Sequence, residues 1–213
     1  MLEYFVIDQK NRGLSLSYIS GKISALKLFF AMNDIVALNL IKLSHMLPEK
    51  KKLTGDKPYN TKHIQNMLNV VGVNLKFRCI IHIMSANGCR IGSFEELKVG
   101  HIQDMPNSCK SLRIYDDHRK EYYTFIHHEA VEALDEYLES RTKKGEIITP
   151  ESWLIPSASD VNKPVLTVSI RIQMARYAHH DGVQEDEVKK RGRYQIQACH
   201  GFKKRFNTIM KSN

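Results

Sequence analysis

The feature of this 213-residue sequence that most constrains its fold is a strongly apolar run between Leu75 and Ala86. Its large hydrophobic side chains are Phe77, Ile80, Ile81, Ile83 and Met84. A helix that is apolar on most of its sides has to be buried inside a domain. The pair Asn87-Gly88 follows, and both residues tolerate the left-handed backbone that ends many helices. The sequence therefore predicts a buried core helix that stops at Asn87-Gly88.

The other elements are predicted to be helical, apart from one hairpin. The runs SLRIY at 111–115 and EYYTFI at 121–126 flank the polar loop DDHRK, which predicts two antiparallel strands. A new element is expected over 89–99, where Phe94 and Leu97 are three residues apart. Apolar residues at helical spacing predict further helices over 63–71 (with Thr61 as its cap), 129–138, 166–178 and 200–210. We therefore expect a mainly α fold with a small antiparallel β-sheet, that is, an α+β domain.

The chain is predicted to divide near residue 50. The segment PEKKKLTGDKP at 48–58 has two prolines, a glycine and four lysines, which is typical of a linker. Before it, helical periodicity extends over 14–47, where Ile19, Ile23, Leu26 and Phe30 share one face. We predict a partial helical domain at 1–50, a basic linker at 51–58 and a larger domain at 59–213. The first of these can bury little core by itself.

Positive charge is concentrated near the end of the sequence. The formal net charge is +9, and the segment 188–213 contains no Asp or Glu. The basic residues of that segment are Lys189, Lys190, Arg191, Arg193, Lys203, Lys204, Arg205 and Lys211. A solvated basic tail is the simpler explanation, but interleaved apolar residues such as Ile196, Phe202 and Phe206 indicate a folded segment. Such a charge concentration favours a polyanionic partner, most often nucleic acid.

Several classes of protein are not expected from this sequence. No stretch approaches the roughly 18 apolar residues of a membrane span, and the first ten residues contain Glu3 and Asp8, unlike a signal peptide. The four cysteines form no CxxC pair, which favours reduced thiols in a cytoplasmic protein. Phosphate-binding glycine loops, HExxH and GxSxG are absent from the sequence. We expect neither a metal nor a small-molecule cofactor.

Three features could carry chemistry. Arg90 follows Asn-Gly-Cys at the predicted start of a helix, where a guanidinium and free backbone N–H groups suit a phosphate. Lys120 lies at the end of the predicted hairpin loop, from which it could reach a phosphate or donate a proton. His200 and Lys203 are three residues apart on one predicted helix and therefore share a face. Taken singly, each of these is more typical of an ordinary surface residue, so their order along the chain is the stronger signal.

That order resembles the tyrosine recombinase, or phage integrase, family, and its archaeal branch in particular. The resemblance lies in ANGCRIGSFEELKVGHI at 86–102, in SLRIYDDHRKEYYTFIHHEAVEALDEYL at 111–138 and in ACHGFKKRFNT at 198–208. In addition, ISALKLFFAMNDI at 23–35 is similar to the end of the helical, SAM-like core-binding domain that precedes the family's catalytic domain. The resemblance implies site-specific DNA recombination or integration on a phage or other mobile element.

The resemblance also implies roles for individual residues. Arg90 matches the arginine that binds the scissile phosphate, Lys120 the hairpin lysine, and His200 the histidine of the His-x-x-Arg box, with Lys203 at the place of its arginine. Duplex DNA is the implied partner, with a second copy of the chain or a full-length recombinase as further candidates. The nearby basic residues are expected to contact DNA; these are Lys189, Lys190, Arg191, Arg193, Lys204 and Arg205.

Three departures from the family pattern affect the expected activity. Lysine at position 203 is a point charge, whereas arginine offers a planar fork to two phosphate oxygens. Ser93 stands where many family members have an acid. In addition, no tyrosine follows Tyr194, although the family's nucleophilic tyrosine comes after the His box. The sequence also looks short at both ends relative to the family, so we expect a truncated form.

Three hypotheses remain open at this point. The first is a DNA-binding form that cannot make the phosphotyrosyl intermediate. The second is an active recombinase that depends on a full-length partner or on another tyrosine such as Tyr194. The third is a non-enzymatic regulator that occupies recombination sites.

Overall fold

The computed structural model describes residues 2–33, 39–49, 57–70, 72–180, 194 and 196–212. These form two compact units, Met1–Leu53 and Thr54–Asn213. The division falls inside the stretch predicted as a linker, of which residues 51–56 lie outside the described part. Among the described helices, none has the length and apolar character needed to cross a membrane.

The described residues of the first unit form three helices, α1 (Leu2–Asn11), α2 (Leu16–Met32) and α3 (Leu40–Met46). Their buried apolar side chains are Val6, Ile19, Ile23 and Leu43. Lys22 donates a hydrogen bond of 2.7 Å to the buried amide of Gln9 and so connects α2 to α1. The buried apolar core of this unit is therefore small.

The second unit is built around the predicted core helix, α5 (Leu75–Asn87), which is confirmed. Before it comes α4 (Thr61–Asn69), whose cap is Asn60 and not Thr61, because the Asn60 side chain accepts the backbone N–H of His63. After it come two short 3-10 helices, η1 (Ile91–Glu95) and η2 (Val99–His101). Three further helices follow among the residues that the structure describes: α6 (His128–Lys143), α7 (Thr167–His180) and α8 (His200–Ser212).

A three-stranded antiparallel sheet packs beside α5 and α6. Its strands are β1 (Ile102–Met105), β2 (Cys109–Ile114) and β3 (Tyr122–Ile126), in that spatial order. The register pairs Leu112 with Thr124 and with Ile102, and the inner face buries Leu112, Ile114 and Ile126. The predicted hairpin is confirmed, whereas β1 was not predicted, because only its first residue is apolar and partly buried. The expected mainly α fold with a small antiparallel sheet is therefore confirmed.

Candidate phosphate-binding site

The backbone around Arg90 is fixed by the end of α5. Gly88 ends the helix with φ of 61° and donates its N–H to the carbonyl of Met84, as the Asn-Gly pair predicts. The side chain of Asn87 then accepts the backbone N–H of Cys89 at 2.9 Å. These bonds leave Arg90 at the surface as the residue that precedes η1. The helix predicted to begin after Arg90 is a 3-10 helix of five residues and not an α-helix.

Ser93 supports the same backbone. Its buried hydroxyl donates to the carbonyl of Arg90 at 2.7 Å, and its N–H donates to the same carbonyl at 2.9 Å. The residue at the family's acidic position therefore supports the Arg90 main chain and brings no negative charge to the site.

Helix α8 packs tightly against the end of α5. A Cβ added to Gly88 would lie 2.7 Å from the Cβ of Phe206, so only glycine fits between these helices. The packing is equally tight at Gly201, where an added Cβ would lie 2.7 Å from the Tyr59 ring. The Tyr59 hydroxyl donates to the carbonyl of Ala198 at 3.0 Å, and burial raises the pKa of this tyrosine. These contacts place the start of α8 beside Arg90.

A pocket of about 290 Å³ lies where these elements meet. It brings together three of the predicted site residues, Arg90, His200 and Lys203. It also contains Arg171, from α7, which the sequence analysis did not single out. The other described residues that line it are Cys89, Ile91, Gln197, Ala198 and Cys199.

The cations of this pocket have no acidic partner in the described part of the chain. Arg90, Arg171 and Lys203 take part in none of its ion pairs. The two thiols of the pocket add no negative charge, because burial raises the pKa of Cys89 and of Cys199 to about 11. The pocket therefore carries uncompensated positive charge, which suits a phosphate group.

Lys120 is the predicted site residue that does not line this pocket. It is exposed on the loop between β2 and β3, where its backbone N–H donates to the ring of His118 at 3.2 Å. Tyr115, at the base of the same loop, is close to the Arg90 segment. Its hydroxyl would lie 3.8 Å from a Cβ added to Gly92, which is two residues after Arg90. Tyr115 has φ of 58°, a left-handed conformation that is costly for an aromatic residue.

The other basic residues predicted to bind DNA divide into two groups. Lys189, Lys190, Arg191 and Arg193 lie outside the described residues. Lys204 is partly buried on α8. Arg205 donates to the Thr61 hydroxyl at 3.0 Å and to the Tyr59 carbonyl at 3.4 Å, so this guanidinium already connects α8 to the start of α4.

The acids near the site also have defined roles. Arg113 is surrounded by three carboxylates, those of Asp116, Asp117 and Glu121, at 2.6, 4.0 and 2.9 Å respectively. These three carboxylates are close enough to one another to hold a metal ion, but the single Arg113 guanidinium already pairs with them and compensates part of their negative charge. The carboxylate of Glu95 accepts the backbone N–H of Thr167, and hydrogen bonding from the side chain and the backbone of Thr167 lowers the pKa of Glu95.

A larger pocket, of about 480 Å³, lies elsewhere in the same unit. Its lining includes Glu146, Glu151 and Trp153, and no Lys or Arg is among the described residues that line it. Size alone would favour this pocket as a ligand site. Its acidic lining, however, is unsuited to a polyanion.

Comparison with known proteins identifies the fold. No protein-family model matches the sequence, and no curated protein sequence matches it either. Among solved structures, the chain is similar to XerA recombinase, with a TM-score of 0.58 and 17% identity over 99% of this chain and 68% of that one.

Two further structures are similar and contain bound substrate or DNA. One is XerH site-specific recombinase bound to difH substrate in a pre-cleavage complex, with a TM-score of 0.67 and 16% identity over 99% of this chain and 58% of that one. The other is the Tn1549 transposon integrase in complex with circular intermediate DNA, with a TM-score of 0.64 and 18% identity over 99% of this chain and 71% of that one. The chain therefore has the fold of site-specific recombinases and integrases, as the resemblance to tyrosine recombinases predicts.

Proposed function

We propose that this chain binds double-stranded DNA as tyrosine recombinases do and holds one backbone phosphate between Arg90, His200 and Lys203. The observation that carries the proposal is the convergence of these side chains on one pocket, together with the lack of an acidic partner among the described residues. The fold supports it, because similar proteins have been crystallised with their DNA substrates.

Each residue contributes a different interaction to phosphate binding. The guanidinium of Arg90 can form two parallel hydrogen bonds to phosphate oxygens. Lys203 adds a point charge, and the imidazole of His200 can donate a hydrogen bond or move a proton. Lys120 is close in sequence to Tyr115 and is proposed to reach the bound DNA from the hairpin loop. No metal ion or nucleotide is required for these interactions.

The covalent step of the family needs a nucleophile that the described residues do not place in the pocket. In that step a tyrosine hydroxyl attacks the phosphodiester and a DNA 5′-hydroxyl leaves. No tyrosine follows Tyr194 in the sequence, and none is among the described residues that line the pocket. We therefore propose that these residues by themselves bind the phosphate without forming a phosphotyrosyl bond.

We further propose that the chain acts in the cytoplasm, where its four free cysteines stay reduced. A second copy of the chain or a full-length recombinase is the protein partner that fits this role. In such a mixed assembly the chain would occupy a recombination site without cleaving it.

A nicked suicide duplex that carries the attachment sequence of the element tests the proposal. The purified chain is incubated with this DNA and run on native and denaturing gels, with Arg90→Ala as the matched variant. We expect a shift on the native gel that Arg90→Ala weakens, and no covalent adduct on the denaturing gel. The absence of a shift with folded protein contradicts DNA binding, whereas an adduct contradicts the proposed lack of cleavage.

A further inference from the structure

We propose that Arg171 of α7 is the second guanidinium of this phosphate site and binds the same phosphate as Arg90. This inference rests on the proposed function, because it assigns a further ligand to the same pocket. It also explains how the site can work with a lysine at position 203.

The start of α7 is held beside the Arg90 segment. The carboxylate of Glu95, the last residue of η1, accepts the backbone N–H of Thr167, the first residue of α7. A carboxylate at this position accepts one of the free N–H groups at a helix start, and its negative charge interacts favourably with the positive end of the helix dipole. Because Arg90 directly precedes η1 and Arg171 is four residues after Thr167, this bond brings the two arginines to one pocket.

The packing of α7 fixes which of its faces points outward. Ile170, Met174 and Ala178 are fully buried, which is the spacing of one helix face. The ring of Tyr177 contacts that of Phe77 on α5, with centroids 5.7 Å apart. Arg171 follows the buried Ile170 and is itself exposed, so its side chain is available to a ligand from solvent.

Arg171 is also oriented towards α8. Arg171 and Cys199 line the same pocket, and the positive charge of Arg171 partly opposes the rise that burial causes in the pKa of Cys199. Cys199 immediately precedes His200. Arg171 therefore approaches the His200 side of the pocket from α7, while Arg90 approaches it from the end of α5.

The chemistry of the site gives a reason for a second arginine. Two planar guanidinium groups can bind several oxygens of one phosphate with defined geometry, which a lysine ammonium does not do. Lys203 stands where the resemblance leads one to expect an arginine. Arg171 supplies, from a different helix, the planar guanidinium that position 203 lacks. None of the described acidic residues forms an ion pair with Arg171.

A double-mutant cycle tests whether the two arginines share one phosphate. The affinity of the full chain for a duplex is measured by fluorescence anisotropy for wild type, Arg90→Ala, Arg171→Ala and the double variant. Loss of a charged hydrogen bond weakens binding about tenfold or more, so we expect each single change to cost at least about tenfold. Because either loss disables a shared site, we expect the double variant to bind only about two- to threefold more weakly than the weaker single variant.

Two further variants separate this role from general positive charge. Arg176→Ala removes another exposed arginine of α7, one that donates a hydrogen bond to Gln173 and is not among the described residues that line the pocket. It should change affinity much less than Arg171→Ala. Arg171→Lys keeps the charge without the fork and should restore only part of the affinity. Thermal melting of every variant verifies that the fold is unchanged.

The outcomes distinguish the two proposals. If wild type binds no duplex, both the proposed function and this inference fail. If Arg90→Ala weakens binding but Arg171→Ala has no effect, or if their effects multiply fully in the double variant, then only the role of Arg171 is overturned. If Arg171→Lys binds with the full wild-type affinity, the proposal that the planar guanidinium of Arg171 is needed is also overturned.

Discussion

Two groups of arginines in the unit Thr54–Asn213 differ in whether their charge is already neutralised. Arg113, at the base of the hairpin, has Asp116 at 2.6 Å and Glu121 at 2.9 Å. Arg141 is almost fully buried, donates to the carbonyls of Trp153 and Leu154 and pairs with Glu146. Arg90 and Arg171, in contrast, are exposed and have no acidic partner in the described chain.

The difference separates cations that stabilise the fold from cations that are available to a ligand. A paired guanidinium satisfies carbonyl and carboxylate groups that would otherwise be buried without a partner. An exposed guanidinium that faces a pocket contributes little to folding, but it can bind an anion without first breaking an internal ion pair. Substitution of a paired arginine should therefore lower the stability of the fold, whereas substitution of an unpaired arginine should lower the affinity for DNA.

The largest effect is expected from Arg141→Ala. This change leaves Glu146 and two backbone carbonyls without their charged donor, which for a buried pair costs about 3–5 kcal/mol of stability. The free energy of unfolding in urea measures the loss. The matched control is Lys143→Ala, whose exposed pair with Glu139 should be worth less than about 0.5 kcal/mol. A loss below about 1 kcal/mol for Arg141→Ala would show that this arginine is not structural.

A smaller effect is expected where the pocket depends on backbone packing. In Gly201→Ala the new methyl group would lie 2.7 Å from the Tyr59 ring, so α8 must shift, at a cost of about 1–3 kcal/mol. The shift should also weaken DNA binding, because His200 and Lys203 move with the helix. Gly21→Ala in α2 is the control, since a Cβ there meets nothing within 4 Å. That change should stabilise the helix by about 0.5–1 kcal/mol, and equal effects of both changes would contradict the packing argument.

The comparison between Arg90 and Arg113 gives a third prediction. Arg90→Ala should change the free energy of unfolding by no more than about 0.5 kcal/mol, because this side chain makes no hydrogen bond in the described structure. Arg113→Ala should lower the melting temperature, since it frees the carboxylates of Asp116 and Glu121. Parallel melting curves of the two variants test this. A clear destabilisation by Arg90→Ala alone would reverse the assignment of the two groups.

The smallest effect concerns acid pH. The hydrogen bond from Arg141 lowers the pKa of Glu146 below its ordinary value of 4.5. A carboxyl with a lowered folded pKa stabilises the protein above its unfolded pKa, and this contribution is lost as pH falls through the folded value. Glu146→Gln should therefore flatten the decline in stability below about pH 5. Urea unfolding at several acidic pH values measures this dependence of stability on pH. The same decline in stability in Glu146→Gln as in wild type would contradict the role of this pair.

Local sequence patterns were sufficient to predict much of the fold. The apolar run of α5, its Asn-Gly stop and the hairpin depend on neighbouring residues, so all three could be identified without the structure. Helix α1 was missed, because Val6 is the only one of its apolar residues that is fully buried, and the hydrophobic pattern is weak. Strand β1 was missed for a similar reason, as three of its four residues are exposed.

The residues that line the candidate site were predicted only in part, for a physical reason. Arg90, His200 and Lys203 belong to short motifs, and the packing of α8 on α5 brings them together. Arg171 belongs to no motif, and its position depends on the hydrogen bond between Glu95 and Thr167, residues that are 72 positions apart. Contacts between residues so distant in sequence leave no local pattern. A lone arginine after an apolar residue is too common to be a signal.

The salt dependence of duplex binding tests the central claim most directly. Affinity is measured at several salt concentrations for wild type, Arg90→Ala and Arg113→Ala. Each phosphate contact contributes about 0.9 to the slope of log affinity against log salt concentration. We predict that Arg90→Ala reduces the slope by about 0.9, whereas Arg113→Ala leaves it unchanged. An unchanged slope for Arg90→Ala, or an equal reduction in both variants, would contradict a phosphate site built from the unpaired cations of this pocket.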